Sequence, residues 1–169
     1  IGVPLTLLAM TPKTKIGIVE MGANHQKEIE FLCAIAQPDF GYITNFGKAH
    51  LAGFGGLEGV IKGKSELYVF LKENKKTVFV NNDDKIQVEN TKHIKSVCFN
   101  NENLQFIEGN PFVKLQYKNT IINSNLIGKY NYTNIAAAIT IGAYFKVSGH
   151  EMKEALENYI PKNNRSQII

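Results

Sequence analysis

Three side chains in the first 64 residues carry groups from which a metal-assisted reaction could be built. They are the carboxylate of Glu20, the imidazole of His50 and the amine of Lys64. A carboxylate and an imidazole together suit a divalent cation, and with oxygen ligands and phosphates nearby that cation is Mg²⁺ or Mn²⁺. Lys64 stands out by position. On a helix beginning near Leu57, with side chains advancing about 100° per residue, the apolar stripe is Leu57, Val60, Ile61, Leu67, Tyr68 and Leu71, and Lys64 falls in its middle. Lys62 and Glu66 fall on the opposite, wet face. An inward ammonium needs either a partner or a role. Each residue also has an ordinary reading: a strand-end glutamate is solvated or capped, a loop histidine has no function, and a lysine runs its amine out to water along its aliphatic stem. Gly47, Gly53, Gly55 and Gly56 lie in the same stretch and let a backbone approach a ligand. Together these features favour a site.

A parallel sheet would bring the three groups together. Phe40–Thr44 reads as a strand, Asn45–Gly56 as a polar, glycine-rich loop, and 57–71 as a helix; open α/β sheets bind ligands at such handovers, beyond the carboxyl ends of their strands. Upstream, Ile16–Met21 reads as a buried strand with Glu20 at its tip. Gly22–His25 turns the chain into a helix over 26–37, with Ile29, Leu32, Cys33 and Ala36 on one face and Pro38 as its stop. That strand–helix–strand unit has the length of a right-handed parallel crossover. Thr77–Asn81, followed by Asn82-Asp83-Asp84, and Ser96–Phe99 read as further strands. From 103 to 127 the pattern changes to short alternating runs, Leu104–Glu108, Phe112–Tyr117 and Thr120–Asn125, which predict antiparallel hairpins. A helix over 131–146 carries Asn131 and Asn134 one turn apart. Ser148-Gly149-His150-Glu151 is a capping-box pattern opening a last helix to about Tyr159; Pro161 ends it, and Asn163–Ser166 forms an exit turn. The fold class expected is α/β: a mostly parallel sheet flanked by helices, with a small antiparallel β portion.

With 169 residues, 44% hydrophobic and 20% charged, the chain is long enough to bury a full core. No apolar run approaches the roughly 20 residues of a membrane span. The net charge of +4 comes from scattered lysines without a clustered stripe or stacked aromatics, so nucleic acid is not an expected partner. Cys33 and Cys98 read as free thiols of a cytoplasmic protein. The sequence holds no Gly-x-x-x-x-Gly-Lys-Ser/Thr, Gly-x-Gly-x-x-Gly or Gly-x-Ser-x-Gly motif and no paired-cysteine metal motif. It opens on Ile1 and stops at Ile169 as though entering a strand, and is expected to be a piece of a longer enzyme.

Several motifs occur in an order that resembles the central domain of the Mur ligase family. They are Glu20-Met21-Gly22-Ala23-Asn24-His25, Thr44-Asn45-Phe46-Gly47-Lys48-Ala49-His50-Leu51 with Gly53-Phe54-Gly55, Lys64-Ser65-Glu66-Leu67, Asn81-Asn82-Asp83-Asp84, Gly128-Lys129-Tyr130-Asn131-Tyr132-Thr133-Asn134 and Asn164-Arg165-Ser166. The first of these, with Gly2–Leu8, is similar to the branch that adds D-alanyl-D-alanine to a UDP-N-acetylmuramoyl-tripeptide. The resemblance implies a P-loop NTPase-like fold and an ATP-dependent amide-bond ligase working through an acyl-phosphate. It further implies that Glu20 and His50 hold Mg²⁺, and that Lys64 is carbamylated and helps bind a second Mg²⁺. Asn45 would lie beside the phosphates, Asn131 and Asn134 would touch the adenine side, and Arg165 would face the nucleotide. Residues 1–160 would be the ATP-binding central domain without its phosphate loop, inactive alone, and 161–169 a linker toward a further domain. The whole enzyme would be a cytoplasmic monomer. Tyr130, where the family often has histidine, and Asn164, in place of a glycine, depart from the pattern. Folylpolyglutamate synthase, cyanophycin synthetase and the diaminopimelate- or lysine-adding ligases share the domain, but Glu20–His25 argues against them. A non-catalytic nucleotide-binding or interaction domain of the same fold is the rival from another class. A Gly-Thr-x-Gly-Lys-Thr loop within ~20 residues upstream would support the ligase, and its absence the binding module.

Overall fold

A computed structural model describes residues 1–47, 51–99 and 103–161. His50, Arg165 and the expected exit turn at 163–166 lie outside the described residues. In chain order the elements are α1 (Gly2–Leu8), α2 (Glu28–Ala36), β1 (Phe40–Tyr42), α3 (Leu51–Phe54), α4 (Leu57–Glu73), β2 (Thr77–Asn81), α5 (Lys85–Thr91), β3 (Lys95–Phe99), β4 (Leu104–Gly109), β5 (Phe112–Tyr117), β6 (Thr120–Ile127), α6 (Tyr130–Tyr144) and α7 (Gly149–Asn158). A parallel sheet has the order β1-β2-β3, and a separate antiparallel sheet has the order β4-β5-β6. Among the described residues no helix is long and apolar enough to cross a membrane. The chain divides into two compact units, residues 1–78 with 86–97, and residues 79–85 with 98–169.

In the first unit α4 is the central element. Val60, Tyr68 and Leu71 are buried along it, as its periodicity requires. Gly41 of β1 admits Leu67 and Leu71 of α4, because a Cβ at that position would lie 2.6 Å from Leu71 Cδ1. Two glycines of α4 do the same for α3. A Cβ on Gly63 would meet the Phe54 ring at 2.4 Å, and one on Gly59 would meet the Phe54 carbonyl oxygen at 1.8 Å. Phe54 is 4% exposed in this glycine-lined notch, which docks α3 onto α4. α2 buries Ile29 and Cys33 and stops at Gln37, whose left-handed φ of 47° precedes Pro38.

The expected strand at Ile16–Met21 is not formed. The segment has no strand assignment, Ile18 is 85% exposed, and Glu20 is also exposed. An apolar run marks a buried strand only when neighbouring strands supply its ladder and cover its faces. In the described sheet β1 is an edge strand, and no ladder joins it to this run.

In the second unit β4, β5 and β6 form a meander whose inward residues Val113, Leu115 and Ile122 are fully buried. α6 presents Ile135, Ala136 and Ile139 as its buried face. α7 opens with the expected capping box. Ser148 Oγ accepts the Glu151 N–H at 3.2 Å, and Glu151 Oε2 accepts the Ser148 N–H at 3.0 Å. α7 lies along the outer strand: Glu157 Oε1 accepts the Asn123 N–H at 2.8 Å, and Lys153 Nζ donates to the Ile121 carbonyl at 2.7 Å.

The notch on α4 sets a test with a sign change. Replacing a helical glycine by alanine gains about 1 kcal/mol of propensity, whereas overpacking a filled site costs about 1–3 kcal/mol. Gly63→Ala should therefore destabilise the native protein in urea unfolding. In a Phe54→Ala background, where the ring is gone, the same change should stabilise it.

Candidate functional site

The loop that follows β1 is held from two helices. Gln87 of α5 is fully buried and donates its side-chain amide to the Ile43 carbonyl at 3.0 Å. Two residues on, Lys64 Nζ donates to the Asn45 carbonyl at 2.7 Å. Asn45 Oδ1 turns back to accept the Gly47 N–H at 2.9 Å, and Phe46 packs edge-on against Tyr68 of α4 with ring centroids 6.4 Å apart. Residues 43–47 after β1 are thus tied by hydrogen bonds to α5 and α4. Lys64 lies inward as expected, half-buried, and this burial lowers its pKa below the usual lysine range. Its partner is a main-chain oxygen, so its charge faces a dipole.

The turn between Glu20 and α2 is as firmly held. Glu28 Oε2 accepts the N–H groups of Asn24 and His25 at 2.7 and 3.3 Å, and these two bonds hold its carboxyl below the usual range. Gly53 of α3 comes so close that a Cβ there would be 2.4 Å from the Asn24 carbonyl oxygen. Glu66 of α4 accepts the Lys27 N–H at 2.6 Å and the Glu30 N–H at 3.0 Å. Glu66 is therefore not on a wet face as its position on the helix wheel suggested. The start of α2 reaches over that face and supplies donors. Helical period describes one helix and contains no information about a neighbour. Gln87 was also missed, and no sequence signal marks a glutamine as buried. Glu28 could have been found, since a carboxylate in the first turn of a helix after a turn is a capping signal.

The two asparagines of α6 belong to the second unit. Asn131 is 5% exposed and donates its side-chain amide to the Ile127 carbonyl at 2.9 Å. Its Oδ1 accepts the Asn134 amide at 2.9 Å, and Asn134 is exposed. The pair therefore has one inward member that ties the helix start to β6 and one outward member. Tyr130 beside them is 66% exposed. The two cysteines are free, Cys33 buried and Cys98 exposed, and burial pushes the Cys33 thiol up to about 11. Among the described residues no three His, Cys, Asp or Glu side chains cluster as a metal site, and His50 is outside that set.

Residues 1–142 match the family model of the Mur ligase middle domain. A UDP-N-acetylmuramoyl-tripeptide–D-alanyl-D-alanine ligase from Bacillus subtilis is 32% identical over 100% of this chain and 38% of its own length. The ligase of the same name from Haemophilus influenzae is 32% identical over 99% of this chain and 37% of its own. The chain thus spans under two-fifths of the length of these curated relatives. Among solved structures, MurF from Acinetobacter baumannii superposes with a TM-score of 0.84 at 25% identity, over 99% of this chain and 39% of that one. The MurF ligase from Thermotoga maritima in complex with ADP has the same fold, with a TM-score of 0.74 at 23% identity over 95% of this chain and 39% of that one. A parallel sheet beside a small antiparallel one, an inward lysine at the handover after β1, and a family match over most of the length lead to one assignment: the chain belongs to the Mur ligase middle-domain family.

Proposed function

We propose that this chain is the nucleotide-handling middle domain of a ligase that joins D-alanyl-D-alanine to a UDP-N-acetylmuramoyl-tripeptide. ATP would convert the tripeptide carboxylate to an acyl-phosphate, and the incoming amine would displace phosphate from it. The names of the Bacillus and Haemophilus relatives support this reading, as does the ADP complex of the Thermotoga neighbour. We place the enzyme in the cytoplasm, as a monomer.

The observation that carries the reading is the amine of Lys64 on the Asn45 carbonyl. A half-buried amine with a lowered pKa is more often neutral, and only the neutral form attacks CO₂. In that step the N–C bond forms, one C–O π bond breaks to leave charge on oxygen, and one proton leaves the nitrogen for solvent. The carbamate nitrogen retains one N–H, which leaves a donor for the Asn45 carbonyl. A cation is thereby replaced by two hard anionic oxygens. With the Glu20 carboxylate these are ligands of the type Mg²⁺ takes, so the donor set fits that ion. Glu20 and His50 would hold one Mg²⁺ and the Lys64 carbamate would help hold a second; the chemistry such an ion would supply is neutralisation of charge on the phosphates. Asn45 would lie beside those phosphates. Asn134, the outward member of its pair, would meet the adenine side with Asn131 holding it in place, and Arg165 would face the nucleotide. Residues 1–160 would form this domain and 161–169 the linker out of it.

In the full-length ligase, Lys64→Ala should lower turnover about 10²-fold or more, the scale of a lost preorganised charge. Short-chain carboxylic acids, which can occupy the vacated oxygen positions, should restore part of it. Wild-type turnover in the unrescued variant would refute the role. Glu20→Ala should cause a comparable loss with an unchanged circular dichroism spectrum, and near-normal turnover at saturating Mg²⁺ would remove it from the site.

The lowered Lys64 pKa also has a sign. Between its folded value and the ordinary 10.5 the unfolded chain holds a proton that the folded chain has released, so this residue makes stability rise with pH in that window. Below the window both states are charged and the folded one bears the cost of burial. Urea midpoints measured across alkaline pH should rise less in Lys64→Met than in the parent. Parallel curves would show that burial at this position is not felt.

A further inference from the structure

We propose that Glu66 is a positioning residue, one that fixes the turn after Glu20 relative to Lys64 by capping α2 from α4. The proposal rests on the functional reading above and extends it to a side chain that touches no substrate.

An α-helix begins with N–H groups that have no partner within it, and a local cap is the usual remedy. In a capping box the N-cap side chain accepts the N–H of the third helical residue, whose own side chain accepts the N–H of the N-cap residue. α7 of this chain does this with Ser148 and Glu151. α2 does not. Its N-cap residue is Lys27, at φ 72° and with no side-chain cap, and its third helical residue is Glu30. The Glu30 carboxylate is turned to the Lys27 ammonium instead of to the backbone. The two donors that a box would satisfy are the N–H groups of Lys27 and Glu30, and Glu66 takes both, one on each carboxylate oxygen, from 39 and 36 residues away.

A local cap would steady the start of α2 equally well and would leave its place against α4 to packing. A remote cap does something a local one cannot: it registers the start of α2, and the turn before it, to a particular residue of α4. That residue is two positions after Lys64, so the two side chains leave α4 in nearly opposite directions, about 200° apart. Lys64 holds the Asn45 loop and Glu66 holds the Gly22–Lys27 turn. Gly53 packing against the Asn24 carbonyl closes the same turn from α3. α4, which itself carries Lys64, thereby sets the place of both the Asn45 loop and the turn that follows Glu20.

Glu66→Gln keeps one acceptor oxygen but turns an NH₂ toward a second N–H, and Glu66→Ala removes both acceptors. In the full-length ligase, kcat should fall about tenfold for Gln and about 10²-fold for Ala, the scale of a misplacement near 1 Å, while KM for D-alanyl-D-alanine stays within twofold. Hydrogen exchange at the Lys27 and Glu30 amides should speed up in both. The deciding variant adds Lys27→Gly to Glu66→Ala, which relieves the left-handed φ at residue 27 and so steadies the start of α2 without a tie to α4. It should recover the melting temperature but not kcat. Recovery of kcat together with stability would show that Glu66 merely caps a helix and would overturn the proposal, as would unchanged kcat in Glu66→Ala. A wild-type enzyme with no ATP-dependent ligation would instead overturn the functional reading on which the proposal stands.

Discussion

Two hydrogen-bonding side chains of opposite charge on one helix hold the first unit in its working arrangement. From α4, Lys64 donates to the carbonyl of Asn45 and Glu66 accepts from the backbone at the start of α2. Neither is a salt bridge. Each sets a full charge against main-chain dipoles, and hydrogen bonds to charged groups are worth roughly 1.5–3 kcal/mol, more than neutral ones. Apolar packing alone would let α2 and the β1 loop slide, because it is non-directional. These contacts fix position as well as distance. The glycines of α4 serve the same end by a different means, since Gly63 admits the Phe54 ring and Gly59 the Phe54 carbonyl only where no Cβ stands in the way.

What could be read from the sequence follows from how local the cause is. The long helices, β2 and the meander announce themselves by period and turn residues, and their bounds lie within a few residues of those expected: 57–73 for the helix carrying Lys64, 77–81 for β2, and 104–127 for the three antiparallel strands. The capping box at Ser148 is wholly local and was legible in full. The short helices α1, α3 and α5 gave no such signal, as seven residues or fewer hold too few turns to establish a stripe. Ile16–Met21 shows the opposite failure, a strong apolar signal whose ladder is absent from the described sheet.

The candidate site divides along the same line. Lys64 was legible because a lysine interrupting an apolar stripe is anomalous on its own helix. Glu66 and Gln87 were not, because each is explained by a backbone group that lies 20 or more positions away in sequence: Lys27 and Glu30 for the first, Ile43 for the second. The asparagines of α6 were read as equivalent, one turn apart. The fold distinguishes them, committing Asn131 to the Ile127 carbonyl and leaving Asn134 outward.

The meander carries a consequence for self-association. An antiparallel sheet of three strands has two rims of unpaired backbone, each a template for a strand from another molecule. Along Ile121–Asn125 of β6 the rim is occupied by α7, where Lys153 takes a carbonyl and Glu157 an N–H. On the opposite rim β4 slips register against β5 between Phe106 and Glu108, which breaks the flat repeat an incoming strand would need. The sheet is thus poorly suited to growth by strand addition at either rim. Loss of the α7 contacts would expose β6 to pairing between chains, with aggregation as the result even though the strands themselves stay intact.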